Sequence, residues 1–318
     1  MSEPAYCIVG ATGFLGRHFL RHLATSNIQR VRCLSRKKQA PVAPVEWLIG
    51  NLHDERALQN LITKDAIVIN LGFDTSANRD ANVTAARALG QACVTAQARR
   101  LVHVSTATVV GRARDNLIDE STPCAPISEY EQTKLEIEGA LLSQTRGALA
   151  AIVVRPVAVF GEGGRNLVHL AQRVANGNSI YRQFLACIHG MRSMNLVASE
   201  NVVAAIAYLA NAPLDASQEL FMVSDDDSDN NNYTYVASRL ASAFGKDARD
   251  STAFSLPAPM LRLLLQARGR PNINPYRHYS CKKLLDTGFT RPIKFEDALD
   301  TYATHLAAQW AQHHRISG

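Results

Sequence analysis

An α/β chain built on a doubly wound parallel sheet, followed by a smaller C-terminal α/β lobe, is predicted by three observations. Short apolar runs alternate with helix-length segments from Tyr6 to Arg155, a glycine-rich turn joins the first run to the first helix, and the rhythm loosens after Arg155-Pro156. At 318 residues and 47% hydrophobic content, the chain is long enough for one large α/β domain or two modest ones.

Strands are expected over residues 6–9, 31–34, 45–48, 66–71, 101–105 and 150–155. They are nearly all apolar instead of alternating, which is the pattern of strands covered by helices on both faces. Helices are expected between them, over 13–25, 55–62, 82–98 and 129–142, giving the βα repetition of a parallel sheet. Beyond Pro156, helices near 167–175, 201–209, 234–243 and 295–312 are separated by the polar stretches "GEGGRNL", "ANGNS" and "SDDDSDNNN". Residues 1–160 are therefore assigned to a first domain and 161–318 to a second lobe, with a return of the chain to the sheet expected around 190–210.

Composition removes several function classes. Thirty-four Lys plus Arg against 28 Asp plus Glu leave a charge of +6, too small to imply a nucleic-acid partner. Six cysteines lie far apart without a C-x-x-C pair or a histidine group at ligand spacing, so neither a disulfide framework nor a metal site is expected. The acidic run "SDDDSDNNN" lacks the spacing and closing Glu of a calcium loop and reads as a polar connection. "PMLRLLLQARGR", residues 259–270, is a basic amphipathic segment whose apolar face is expected to pack on the lobe. The start "MSEPAY" has no secretory pattern, and no window approaches the ~18–20 apolar residues that cross a bilayer. A soluble, cytoplasmic protein without membrane insertion is expected.

Gly10, Gly13 and Gly16 stand as G-x-x-G-x-x-G between the first strand and the first helix. In such a turn the first glycine permits the bend, the second lets a pyrophosphate approach the backbone, and the third lets helix and strand pack closely. A bound dinucleotide is the expectation. About twenty residues on, where an acidic residue would accept hydrogen bonds from the adenosine ribose, the chain carries Ser35 and Arg36, with Lys37 and Lys38 following. A guanidinium suits a 2′-phosphate, so NADP(H) is preferred over NAD(H).

Two further patterns carry chemistry. In "SEYEQTKLEIEG", Tyr130 and Lys134 share a helical face at i and i+4, and Ser128 with Glu131 forms a capping box that starts the helix there. A phenol titrates near ~10 in water, so a nearby cation is needed before it can act as a base at neutral pH. In "LVHVSTATVVG" a buried strand opens into hydroxyl residues that can bond an oxygen changing between ketone and alcohol.

Together these stretches resemble the extended short-chain dehydrogenase/reductase family, Rossmann-type enzymes that include nucleotide-sugar epimerases, dehydratases and reductases, along nearly the whole chain. "GATGFLG" resembles the family's phosphate turn, "DAIVINLG" its fourth strand, "NVTAARALGQAC" the helix after it, "VSTATVVG" its hydroxyl strand, "YEQTK" its tyrosine–lysine pair and "VVRPVAVFG" the segment under the nicotinamide. "YSCKKLLDTGFTRPIKFEDALDTYA" is similar to its closing helix region. The resemblance implies Thr106 as the catalytic hydroxyl, with Ser105 as fallback, Tyr130 as proton donor or acceptor, and Lys134 as the residue that binds ribose and lowers the tyrosine pKa. It implies cofactor contacts from Gly10, Thr12, Gly13, Phe14, Leu15 and Gly16, from Ser35 and Arg36, from Asn51 and Leu52, from Leu71 and Gly72, from Tyr130 and Lys134, and from Pro156, Val157 and Val159. For the substrate it implies Asn166, Asn195 and Asn201, with Arg192, Arg270 and Arg277 as diphosphate candidates on charge alone.

The chain departs from the family pattern at Gly72, where alanine is common, at Val110, which replaces a frequent tyrosine, and in a short loop between Phe73 and Asn82. The first reading is an NADPH-dependent 4-ketosugar reductase acting on a nucleotide-diphosphate sugar; the second is an NAD-dependent nucleotide-sugar 4-epimerase. Reduction of a steroid-like or other apolar ketone fits the apolar 259–265 stretch. A non-catalytic dinucleotide-binding regulator or assembly subunit is disfavoured by the intact Tyr130/Lys134 pair. The resemblance also implies a homodimer through a helix pair that includes the Tyr130 helix.

Overall fold

The computed structural model describes residues 4–26, 28–41, 43–113, 115–190, 192–214, 218–247, 260, 263, 266 and 274–316. They fall into two compact units, the first comprising Met1–Val110, Cys124–Pro156 and Val203–Phe221, the second Gly111–Pro123, Val157–Val202 and Met222–Gly318. The division is discontinuous in sequence. The first unit includes residues 203–221, and 111–123 belong to the second unit.

The first unit is a Rossmann-type sheet. Its strands are β1 (Tyr6–Val9), β2 (Val31–Ser35), β3 (Val45–Ile49), β4 (Ile67–Asn70), β5 (Arg100–Val104), β7 (Ala150–Pro156) and β10 (Gln218–Val223). They lie side by side in the order β10-β7-β5-β4-β1-β2-β3. The pairs β1–β2, β1–β4, β2–β3, β4–β5 and β5–β7 are all parallel. Central β1 and β4 are buried at every position, as their unbroken apolar runs require, whereas edge strand β3 leaves Ile49 71% exposed. The direction of strand order reverses after β1, and in open parallel sheets that switch is where ligands collect, at the carboxyl ends of the strands.

Helices α1 (Phe14–Ala24), α2 (Glu55–Leu61), α3 (Arg79–Thr95) and α4 (Glu129–Thr145) connect the strands. Each start after the first has the capping chemistry its sequence supplies: Asp54 accepts from Ala57 N, Asn78 accepts from Ala81 N, and Ser128 with Glu131 closes both bonds of a capping box. Leu58, Leu61, Val68, Leu89, Leu101 and Leu141 belong to one core that joins α2, α3 and α4 to a sheet face. Behind α4, Glu138 and Arg155 of β7 form a buried ion pair with N···O 2.6 Å.

In the second unit, β6 (Leu117–Ile118) pairs with β11 (His278–Tyr279), and β8 (Ala158–Phe160) with β9 (Leu196–Ala198), both in parallel. Helices α5 (Val168–Asn176), α6 (Ser179–His189), α8 (Tyr233–Ala243), α9 (Lys282–Asp286) and α10 (Phe295–Ile316) follow, while α7 (Ser199–Asn211) begins in this unit. Phe160, Leu196, Leu240, Leu299 and Tyr302 share its core. The stretch "ANGNS", read as a loop, is two helix boundaries in succession: Gly177 ends α5 and Asn178 caps α6 by accepting from Tyr181 N at 2.8 Å. "SDDDSDNNN" does connect β10 to α8, but it is not a solvated loop. Asp225, Asp226, Asn231 and Asn232 are buried, and Asp225 accepts from Ala198 N and Asn201 while Asp226 accepts from Asn195, Asn231 and Tyr279 N. Among the described residues no group of His, Cys, Asp and Glu is placed to hold a metal ion, and no helix is long and apolar enough to cross a membrane. Residues 259–270, including Arg270, lie almost wholly outside the described residues.

Candidate dinucleotide and catalytic site

The three glycines have separate structural reasons. Gly10 has φ +83°, a conformation L side chains rarely adopt, and a Cβ there would lie 2.7 Å from Gly72 N. Gly16 sits where a Cβ would collide with the carbonyl of Gly10, which keeps α1 against the end of β1. Gly13 is the N-cap of α1; with no side chain to cap the helix, its first N–H groups are left for a ligand. A pyrophosphate fits this turn.

In front of the turn lies a groove of about 330 Å³, lined by the ends of β1, β2 and β4 and the segments that follow β3 and β4. Gly10, Thr12, Gly13, Ser35, Arg36, Asn51, Leu52, Leu71 and Gly72 line it. Phe14, Leu15, Gly16, Tyr130 and Lys134 do not, nor do Pro156, Val157 and Val159. His53, Phe73, Asp74, Thr75 and Ser76 line it without having been singled out from sequence; their signal was adjacency, since they continue directly from Asn51-Leu52 and Leu71-Gly72. Ser35 is buried and its hydroxyl is used up locally, donating to Lys37 O and accepting from Lys37 N and Gln39 Nε2. Arg36 is exposed on the groove wall.

The loop after β4 is held rigidly. Gly72 N donates to Asn70 Oδ1, the Asn82 amide bonds both N and O of Asp74, and His53 Nε2 lies 3.1 Å from Asp74 Oδ2. Bonds from Ser76 lead the causes that depress the Asp74 carboxyl to about 2. Between these anchors Phe73 meets Tyr130 edge-to-face at 5.3 Å and lies 5.5 Å below the Lys134 ammonium.

Tyr130 is half-exposed in the first turn of α4; partial burial, then the Glu131 carboxylate, raises its phenol pKa. Lys134 is buried with Nζ donating to Val104 O at 2.9 Å, and desolvation lowers it to about 8 although Glu138 works in the opposite direction. Thr106 is buried at the tip of β5, its Oγ1 3.1 Å from Thr108 Oγ1. Ser105 Oγ is buried with no hydrogen-bond partner among the described residues. Thr106, Tyr130 and Lys134 are gathered in the first unit, yet no direct hydrogen bond joins any two of them among the described residues. The sequence pattern of NAD dependent epimerases and dehydratases matches residues 6–223, the span that contains this turn, groove and side-chain group.

The chain belongs to the NAD dependent epimerase/dehydratase family.

Within that family it is 31% identical over 167 residues to a 4-hydroxy-2-methyl-3-oxo-4-farnesyl-3,4-dihydroquinoline-1-oxide ketoreductase of Stigmatella aurantiaca, covering 48% of this chain and 50% of that one. It is 33% identical over 180 residues to a ceramide reductase of Caulobacter vibrioides, covering 53% and 50%. The chain thus spans about half the length of these curated relatives. Among solved structures, the dTDP-glucose 4,6-dehydratase of Bacillus anthracis in complex with NAD superposes with a TM-score of 0.71 at 16% identity, over 98% of this chain and 97% of that one.

In the second unit, the side chains that the family resemblance pointed to are mostly engaged in the fold. Asn195, with φ +50°, donates to Asp226 Oδ2 and Arg277 O, both at 2.7 Å. Asn201 is buried against Asp225 and Ile293 O. Arg277 is buried and donates to Gly111 O at 3.0 Å and to Ala113 O. Arg192 is half-buried, and Asn166 is exposed with Nδ2 donating to Val159 O at 2.7 Å.

Proposed function

We propose that this family member is an NADPH-dependent ketoreductase acting on a nucleotide-diphosphate-linked 4-ketosugar. The observation that carries the cofactor preference is Arg36: an exposed guanidinium lines the groove immediately after β2, where Ser35 stands in place of a ribose-binding carboxylate. NADPH used as a co-substrate favours reduction over the internally recycled NAD of an epimerase. NAD(H) is the alternative cofactor.

When bound, the dinucleotide supplies the hydride; the chain's own residues handle the proton. Tyr130, whose pKa is raised, is a phenol at neutral pH and therefore an acid, the state that donation to a carbonyl oxygen requires. Thr106 Oγ1 supplies a second hydrogen bond to that oxygen. Lys134, charged near neutrality and held on Val104 O, provides a fixed positive field and a donor for the cofactor ribose. Asn166 and Arg192 are the proposed diphosphate contacts, whereas Asn195 has its amide N–H group committed to Asp226 and Arg277 O and is left out of that role; α4 is the proposed face of a homodimer. A second reading, reduction of an apolar ketone, is favoured by what the names of the ketoreductase and ceramide reductase relatives state.

The test is NADPH oxidation with a panel of UDP- and dTDP-4-ketosugars beside long-chain 3-ketones, comparing wild type with Tyr130→Phe. Turnover of the sugars that Tyr130→Phe abolishes supports the proposal. Turnover of the lipid ketones alone moves the assignment to the second reading, and equal rates in the two proteins remove Tyr130 from the mechanism.

A further inference from the structure

Phe73 lines the groove and also touches both halves of the tyrosine–lysine pair. Its ring stands at 87° to the Tyr130 ring, with centroids 5.3 Å apart, so an edge of one aromatic meets the face of the other in the arrangement that ring quadrupoles favour. The same ring lies 5.5 Å from Lys134 Nζ, within cation–π range. Phe73 is not free to drift. Gly72 on one side is tied to Asn70, and Asp74 on the other is clamped by buried Asn82 through both backbone polar groups.

We propose that Phe73 is a positioning residue: its face helps keep the buried Lys134 ammonium charged, and its edge-to-face contact sets the rotamer of the Tyr130 phenol. The inference rests on the catalytic reading of Tyr130 and Lys134 for its consequence, but its physical content concerns Lys134 alone. Lys134 has three hydrogens to place and one hydrogen-bond acceptor, Val104 O, among the described residues. In a site of low dielectric, a ring face turned to the ammonium adds negative potential at Nζ. Glu138, one turn along α4, supplies part, although it is committed to Arg155 of β7. From β5, His103 faces the ammonium and is held neutral by burial, then by Lys134 itself, so it adds no positive charge. From the β4–α3 loop Phe73 supplies the ring face. Removing that face while keeping an apolar side chain isolates its contribution.

The experiment follows the Lys134 side chain by ¹³Cε/¹⁵Nζ NMR titration in lysine-labelled protein, with the resonance assigned by its loss in Lys134→Arg. Phe73→Leu is expected to lower the Lys134 pKa by about one unit, while Phe73→Tyr, which keeps the ring, leaves it at the wild-type value. In NADPH-dependent turnover the alkaline limb of the kcat profile should move to lower pH in Phe73→Leu and return in Phe73→Tyr, with the KM for NADPH changed less than kcat. A Lys134 titration unchanged in Phe73→Leu, or lowered equally in both variants, overturns the proposal. Wild-type protein with no NADPH turnover would remove the reductase reading, and the NMR comparison would still decide the role of Phe73. A variant that fails to fold is recognised by its amide spectrum, and Phe73→Met then takes its place in the same comparison.

Discussion

In the first unit, β1 and β4 are buried from end to end and pack on the aliphatic faces of α2, α3 and α4. In the second, two short two-stranded ladders are stitched by mostly buried polar side chains, with buried Asp225, Asp226, Asn201 and Asn231 and half-buried Asn195 bonding one another and the backbone, and Arg291 joining Asp225 at 3.0 Å. An apolar core tolerates exchange of one hydrophobic side chain for another of similar volume, because dispersion and burial are not directional. A polar network does not, because each lost partner leaves a desolvated donor or acceptor behind. The first unit also holds a buried ion pair, Glu138–Arg155, between the Tyr130 helix and β7.

That ion pair offers the largest effect. Glu138→Ala strands Arg155 in a buried position and should cost about 3–5 kcal/mol of stability, measured by urea denaturation. Replacing both partners together, Glu138→Leu with Arg155→Met, should recover most of the loss; a double variant as unstable as the single one would show that the pair is not a matter of charge. Next in size is Tyr130→Phe, which should slow NADPH-dependent reduction about 10²–10⁴-fold in steady-state assays. Because Tyr130 is half-exposed, the melting temperature should stay within a degree or two of wild type.

The polar network gives a pH signature that the aliphatic core cannot. Burial pushes the Asp225 and Asp226 carboxyls up to about 6, against the partly opposing hydrogen bonds from Ala198 N and Tyr279 N. The folded state therefore holds these protons to higher pH than the unfolded chain. Their stabilising contribution is complete below the unfolded carboxyl pKa, near ~4, and is lost as pH rises through about 6. Between those values the wild type should lose on the order of 1–2 kcal/mol relative to the Asp225→Asn/Asp226→Asn protein, read from calorimetric melts at each pH. A parallel pH dependence in both proteins would place the titration elsewhere. The smallest effect is expected at the groove: Arg36→Asp should raise the KM for NADPH about tenfold more than that for NADH, the scale of one charge-assisted phosphate contact at an exposed site.

The first unit was the more legible of the two in sequence. Its strands are short apolar runs whose length and composition announce burial on both faces, and its helices carry their own caps at Asp54, Asn78 and Ser128. The second unit hid its elements behind polar residues. Gly177 and Asn178 end one helix and start the next, yet the same pair in a loop would look no different. At the site, Gly10, Gly13 and Gly16 and the Tyr130–Lys134 spacing were readable, because each motif acts within a few residues of itself. That the polar side chains of Asn195 and Arg277, both named as substrate candidates, are instead spent on Asp226, Gly111 and Ala113 was not readable. Nor was Phe73, an ordinary apolar residue in its local context.

Sequence alone determined the alternation of strand and helix, the glycine turn with its uncapped helix start, and the i, i+4 placement of phenol and amine, since backbone sterics and side-chain periodicity operate over a turn or a strand. Tertiary structure alone decided that Asp225, Asp226, Asn231 and Asn232 of the "SDDDSDNNN" run are buried and that the Phe73 ring meets both Tyr130 and Lys134. Burial and ring contact depend on which distant segments arrive within a few ångströms of each other, and local pattern carries no record of that.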